Sequence, residues 1–135
     1  MNDFTLNPQL LADTHDVASL DICELRLMND CRWPWFILIP RIDGAEEWHD
    51  LFTDQRQDID LEVANVASVL KSVTGCQKIN IASIGNMVSQ LHIHVVARSA
   101  GDPNWPGLVW GFGERKPYEN ANDFIAHIAH ELGFD

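Results

Sequence analysis

Two histidines, His92 and His94, stand two residues apart in the apolar stretch "SQLHIHVVARS", with Gln90 two residues before them. In an extended strand, side chains at i, i+2 and i+4 leave from one face. Gln90, His92 and His94 are therefore expected in a row, with Leu91, Ile93 and Val95 on the opposite face. Three readings of that row compete. The histidines can be half-buried strand residues satisfied by backbone or water. They can be metal ligands, because neutral imidazole binds zinc well, but this needs a third ligand. His127 and His130, an H-x-x-H in the last helix, could supply one, although that spacing also suits the polar edge of an amphipathic helix. Finally, one imidazole can attack phosphorus while the second serves as acid or hydrogen-bond donor. The preceding "SIGNMVS" would then offer phosphate donors: Gly85 permits close backbone approach, and Asn86 and Ser89 carry polar side chains.

Those residues need a scaffold, and 135 residues suit a single domain, 1–135, with an ordinary core. "NPQLLADT" (7–14) reads as a short opening helix or turn. "VASLDICELRLMND" alternates like two short strands, or one strand with a turn near Asp21. "WFILIP" (35–40) is a continuous apolar run closed by proline, as expected for a central strand buried on both faces. In "TDQRQDIDLEVANVASVLKSVTG", Ile59, Val63, Val66, Leu70 and Val73 define one apolar face of a long helix. Thr53 is the expected N-cap and Gly75 the stop. "QKINIASIG" and "QLHIHVVAR" follow as antiparallel neighbours, then a Gly-, Pro- and Trp-rich loop. A C-terminal helix closes the chain, with Asn122 as N-cap and Gly133 as stop. The order predicts an α+β fold: an antiparallel sheet of about five strands, one long helix and a C-terminal helix.

Composition limits the partners. With 9 basic against 20 acidic residues the formal net charge is −11, which disfavours nucleic-acid polymers and anionic membrane surfaces. The three cysteines, Cys23, Cys31 and Cys76, form no C-x-x-C pair and suit a reducing interior. "MNDFTLNPQL" lacks the basic start and apolar core of a signal peptide. "WPWFILIP" is too short to span a bilayer. A cytoplasmic protein is expected.

Taken together, "GNMVSQLHIHVVAR", "LRLMNDCRWPWFILIPRIDGAEEWHDL" and "AGD" (100–102) resemble the histidine triad (HIT) superfamily, whose signature alternates three histidines with apolar residues. The likeness covers residues 20–102, with Gln90, His92 and His94 at the three triad positions. "WPWFILIPR", "GNMVSQLHIHV" and "DPNWPGLVWG" further resemble a bacterial subgroup labelled HIT-family or diadenosine-tetraphosphate hydrolase. The resemblance implies a nucleotide as the small-molecule substrate, no cofactor or metal, and a homodimer. It implies attack by His92 on the α-phosphate to form a nucleotidyl-histidine, with His94 near the scissile bridging oxygen. Asn29 is implied to meet the ribose, Asn80 the phosphate, and Leu27 the adenine-side wall, while Asn86 takes the place of the glutamine after Gly85.

Two positions depart from the family pattern. Gln90 replaces the first histidine, whose role is to orient the others by hydrogen bonds; an amide can donate and accept but carries no charge. Phe36 takes the place of a histidine in the "Gly-His" element, either drying the pocket of His92 or packing in the core. Arg98, Arg41 and Arg32 are either phosphate-binding cations or solvated surface charges, with Arg98 the leading phosphate candidate because its segment leaves the site strand directly. Trp105 and Trp110 are expected to stack on a base, seal a dimer seam or simply pack. The alternative function is a nucleotide-binding module whose catalysis weakened with Gln90.

Overall fold

A computed structural model of the chain describes residues 4–135. Its elements run α1 (Pro8–Asp13), β1 (Thr14–Ser19), β2 (Cys23–Met28), β3 (Trp35–Pro40), α2 (Thr53–Thr74), β4 (Lys78–Ala82), β5 (Ile93–Arg98) and α3 (Asn122–Glu131). The five strands form one sheet in the order β1-β2-β3-β5-β4. Every neighbouring pair is antiparallel. The expected α+β architecture is therefore present, with its five strands, long helix and C-terminal helix.

Sheet order explains the apolar runs. β3 is the central strand and β5 lies beside it, and every residue of both is buried. A strand covered on both faces reads as continuous apolar sequence rather than as alternation. β4 is an edge strand and is mostly uncovered.

One face of the sheet carries Leu25, Leu27, Phe36, Leu38, Ile93, Val95 and Ala97, which pack with Ile59, Val63, Val66 and Leu70 of α2. These four helix residues lie at i, i+4, i+7 and i+11, one stripe of an α-helix. The helix stops at Gly75, where φ is +66°, a left-handed conformation that glycine adopts without a Cβ penalty. Its start differs by one residue from the expectation, because Phe52 is the N-cap and Thr53 is already helical. A phenyl ring cannot cap, so the Gln55 side chain reaches back instead and accepts from the Phe52 N–H at 2.8 Å. In α3 the shift is similar: Ala121 is the cap residue and Asn122 the first helical one.

The second face is covered by irregular chain. Leu10, with Phe4 and Leu6, lies over Ile37 and Ile39. Trp33, Trp35, Val96 and Val109 form a separate cluster that Met28 and Trp110 join. No helix among the described residues is long and apolar enough to cross a membrane.

Phe36 is fully buried in the helix-side core and packs against Phe124 with ring centroids 5.7 Å apart. Phe36→Ala leaves a cavity between the sheet and both helices, and should cost about 3–5 kcal/mol of unfolding free energy. Urea titration of the two proteins checks this; a loss below about 1 kcal/mol would contradict that packing.

Candidate functional site

The regular strand begins at Ile93, so Gln90 and His92 precede it and the expected row of three is broken. The cause lies at the other end of the chain. Gln90 Oε1 accepts from the Asn7 N–H at 2.8 Å, and its Nε2 donates to the Thr5 carbonyl at 2.9 Å. The amide is thus spent on the N-terminal segment, where one acceptor and one donor match two backbone groups. Its main chain serves the site: the Gln90 carbonyl oxygen lies 2.7 Å from His92 Nδ1. A carbonyl only accepts, so His92 Nδ1 carries the proton and Nε2 of the neutral ring keeps a lone pair.

His94 does follow His92 on the same side. Their rings stand edge to face, with centroids 4.9 Å apart, and both residues are about 95% covered, at 5% and 4% exposed. Burial pulls the His94 pKa down to about 3, and the nearby His92 ring adds to the effect. His94 is therefore neutral throughout the physiological range. The Trp35 ring lies 5.7 Å away and Trp110 5.3 Å away, each centroid to centroid. Trp35 Nε1 is 2.9 Å from His94 Nδ1.

This geometry decides between the two readings of Phe36. In the β3–β5 ladder, Ile37 pairs with His94, Phe36 with Val95 and Trp35 with Val96. Side chains alternate across a sheet, so Phe36 shares the helix-side face with Val95, and Trp35 shares the histidine face. Phe36 is core, and Trp35 is the residue of this strand that touches the site. Sequence reasoning passed over Trp35, because only the β3–β5 register shows which parity of this apolar run faces the histidines.

The remaining expected site residues fall into three places. Gly85, Asn86 and Ser89 line one cleft of about 350 Å³, together with Glu46, Trp48 and Ser83. Ser83 Oγ donates to the His92 carbonyl at 3.1 Å, which puts this cleft against the His92 backbone. A Cβ at Gly85 would come within 3.2 Å of the Val88 carbonyl oxygen, so the turn is tight there. Asn80 and Arg98 meet each other instead: Arg98 Nη1 donates to Asn80 Oδ1 at 3.0 Å, and its Nε and Nη2 bind the two Asp102 oxygens at 2.8 and 3.2 Å. Arg98 is only 2% exposed. Three of its five N–H donors are committed inside the protein and the group is enclosed, which corrects its expected availability to phosphate. Asn29 accepts from the Tyr118 N–H at 3.0 Å and lies 3.0 Å from His15 Nε2. Leu27 is fully buried in the helix-side core, a correction to its expected place beside a base.

The other arginines are also internally engaged. Arg32 pairs with Asp30, and Arg41 with Glu24. Trp105 lies 5.8 Å from the Arg98 guanidinium, while Trp110 stands beside His94 with its indole N–H buried and without a partner. On α3, His127 lies 3.8 Å from Glu131, and His130 lies 3.6 Å from Asp135 beyond the helix end. Among the described residues, no group of three or more His, Cys, Asp or Glu side chains is placed to hold a metal ion.

An α+β sheet of this order, with paired buried imidazoles where the penultimate segment enters β5, is the architecture of histidine triad proteins. A family model described as the HIT domain matches residues 10–101, and the chain belongs to that family. Among solved structures, a histidine triad protein from Sinorhizobium meliloti 1021 is 45% identical, with 97% of this chain and 98% of that chain covered and a TM-score of 0.94. One from Marinobacter aquaeolei VT8 is 40% identical, with 96% of each covered and a TM-score of 0.92. A Plasmodium falciparum diadenosine triphosphate hydrolase shares the fold at 12% identity, with 97% of this chain and 79% of that chain covered and a TM-score of 0.62. No curated protein matches the chain by sequence.

The depressed His94 pKa has a consequence for stability. Between pH 6.5 and about 3 the unfolded chain takes up a proton at His94 and the folded chain does not, so stability falls as pH falls through that window. Chemical unfolding across the window should show a shallower decline for His94→Gln than for the wild type. Equal slopes would place the His94 pKa near its ordinary value.

Proposed function

We propose that the protein is a HIT-type nucleotide hydrolase or nucleotidyl transferase. It would act at the α-phosphate of a nucleotide phosphoanhydride or phosphoramidate, with a diadenosine polyphosphate as one substrate. The observation that carries this reading is the 2.7 Å contact between His92 Nδ1 and the Gln90 carbonyl. A proton fixed on Nδ1 leaves Nε2 as a lone pair on a neutral imidazole, which is the form that attacks phosphorus. Gln90 thus acts through its main chain, and its side chain is not needed for the nucleophile to be oriented.

In the first step the Nε2 lone pair of His92 forms a bond to the α-phosphorus. The bond from phosphorus to the leaving group breaks, and its electron pair departs with that group. His94 lies close enough to stabilise the departing atom by hydrogen bonding. In the second step water attacks the same phosphorus, the N–P bond breaks, and the pair returns to Nε2 while the water proton passes to solvent. Donors for the phosphoryl oxygens come from the turn that holds Gly85, Asn86 and Ser89. Asn29 remains the proposed ribose contact through its amide N–H, since its oxygen is already engaged. The free thiols of Cys23, Cys31 and Cys76 are compatible with a cytoplasmic setting.

His92→Ala should lower turnover of diadenosine tetraphosphate by at least about a thousandfold without unfolding the protein. An acid-labile nucleotidyl adduct should form on His92 in the wild type. Nucleotide binding by calorimetry with no turnover of any dinucleotide would instead favour a binding module.

The open edge of β4, where Ile81 is 54% exposed, suits a two-fold homodimer in which further chain covers that edge. Sedimentation or light scattering should give about twice the 15.3 kDa chain mass. A monomer mass at micromolar concentration would count against it.

A further inference from the structure

Trp35 and His94 form a donor–acceptor pair whose direction is fixed by chemistry. The indole Nε1–H donates and cannot accept. At 2.9 Å from His94 Nδ1 it therefore requires a lone pair on that nitrogen, and the proton of the neutral ring must sit on Nε2. A second proton on Nδ1 would set N–H against N–H. Both residues are buried, Trp35 at 7% and His94 at 4% exposed, so no water is at hand to relieve that clash. Three rings stand against His94, those of Trp35, Trp110 and His92; of these only His92 titrates, and its positive form would oppose a charge on His94 further.

We infer that Trp35 is a positioning and specificity-determining residue: it holds His94 as a neutral hydrogen-bond donor through Nε2, and so restricts the site to leaving groups that depart as oxyanions. This inference rests on the hydrolase reading above and deepens it. When a phosphoanhydride is cleaved, the P–O bridge breaks and its electron pair stays on the oxygen of the departing phosphate. That oxyanion is stable near neutral pH, so a hydrogen bond from His94 Nε2 suffices and no proton changes owner. When a phosphoramidate is cleaved, the P–N bond breaks and the departing nitrogen must take up a proton with the electron pair. His94 can supply it only by becoming an imidazolate, because its Nδ1 proton is absent. Amine leaving groups thus lack an acid at this site.

The test has an arm that does not depend on turnover. In the wild-type protein labelled with ¹⁵N-histidine, His94 should show a bare Nδ1 and a protonated Nε2 across the neutral range. Finding the proton on Nδ1 overturns the inference. Trp35→Phe keeps a ring but removes the donor, and should convert His94 to a mixture of tautomers with a raised pKa. An unchanged His94 spectrum in that variant also overturns it.

The kinetic arm compares diadenosine tetraphosphate with adenosine 5′-phosphoramidate. The wild type should favour the anhydride by at least about a hundredfold in kcat/KM, and comparable rates would refute the specificity claim. In Trp35→Phe, kcat on the anhydride should fall roughly tenfold with KM little changed, and the phosphoramidate-to-anhydride ratio should rise. If Trp35→Phe fails to fold, the wild-type spectrum and substrate comparison still decide the matter. If the wild type turns over neither substrate, the hydrolase reading and the specificity claim fail together, while the tautomer measurement stands by itself.

Discussion

Every side chain of β3 and β5 is buried, which leaves polar groups on this central strand pair no water to bond. A buried polar atom without a partner costs about 1–3 kcal/mol, so each such group must find one within the protein. On β5 and its approach these groups are His92, His94 and Arg98, and each is met in a different way. A backbone carbonyl takes His92 Nδ1, an indole N–H meets His94 Nδ1, and Asp102 with Asn80 absorbs Arg98. Burial thus does more than stabilise the sheet. It selects the tautomer of each neutral imidazole, because the two partners have opposite hydrogen-bonding character.

The helix-side core and the histidine face divide the work along single strands. On β5, Ile93, Val95 and Ala97 anchor the strand against the α2 side of the sheet, and the alternate positions are His94, Val96 and Arg98. The same alternation operates on β3, where Phe36 and Leu38 face the helix while Trp35 and Ile37 face the histidines. A position off by one on either strand exchanges core for site. This is why the distinction between Trp35 and Phe36 matters physically. The two aromatic neighbours have similar composition-level meaning and opposite destinations.

Local pattern made much of this legible. The apolar run at 35–40, the stripe from Ile59 to Leu70 and the glycine stop at 75 each depend on residues within a few turns of one another, so sequence alone placed them. The two histidines were equally visible. What could not be seen locally depends on contacts far apart in the chain. Gln90 turns away because Thr5 and Asn7, more than eighty residues earlier, offer it a carbonyl and an N–H. Asn29 is engaged by the Tyr118 backbone, 89 residues away. Arg98 looked like a free phosphate ligand because its partners Asn80 and Asp102 lie on an adjacent strand and in the loop beyond. Phe36 stood between core and site for a different reason: a proline-terminated apolar run has no polar residue to mark which parity faces which side.

The charge balance bears on how such a site can hold phosphate. The chain carries an excess of acidic residues, and Arg26, Arg32, Arg41 and Arg98 each lie against a carboxylate within the fold. The Arg98–Asp102 pair is the most enclosed of the four, with side chains 2% and 11% exposed. Burial alone would raise the Asp102 carboxyl pKa, yet its bonds to Arg98 outweigh that and hold it well below the usual carboxylate range. A guanidinium so bound is a strut for the loop after β5 rather than a mobile cation. On the proposed function, recognition of a phosphoryl group would then fall to neutral donors: the His94 ring, the amide of Asn86, the Ser89 hydroxyl and backbone N–H groups of the tight turn at Gly85. Such donors act by orientation more than by net charge, and in a site shielded from water their dipoles are worth more than in bulk solvent. An acidic protein can therefore host phosphoryl chemistry without a basic patch, provided that the donors are fixed before the ligand arrives. The Trp35 hydrogen bond to His94 orients one such ring in advance.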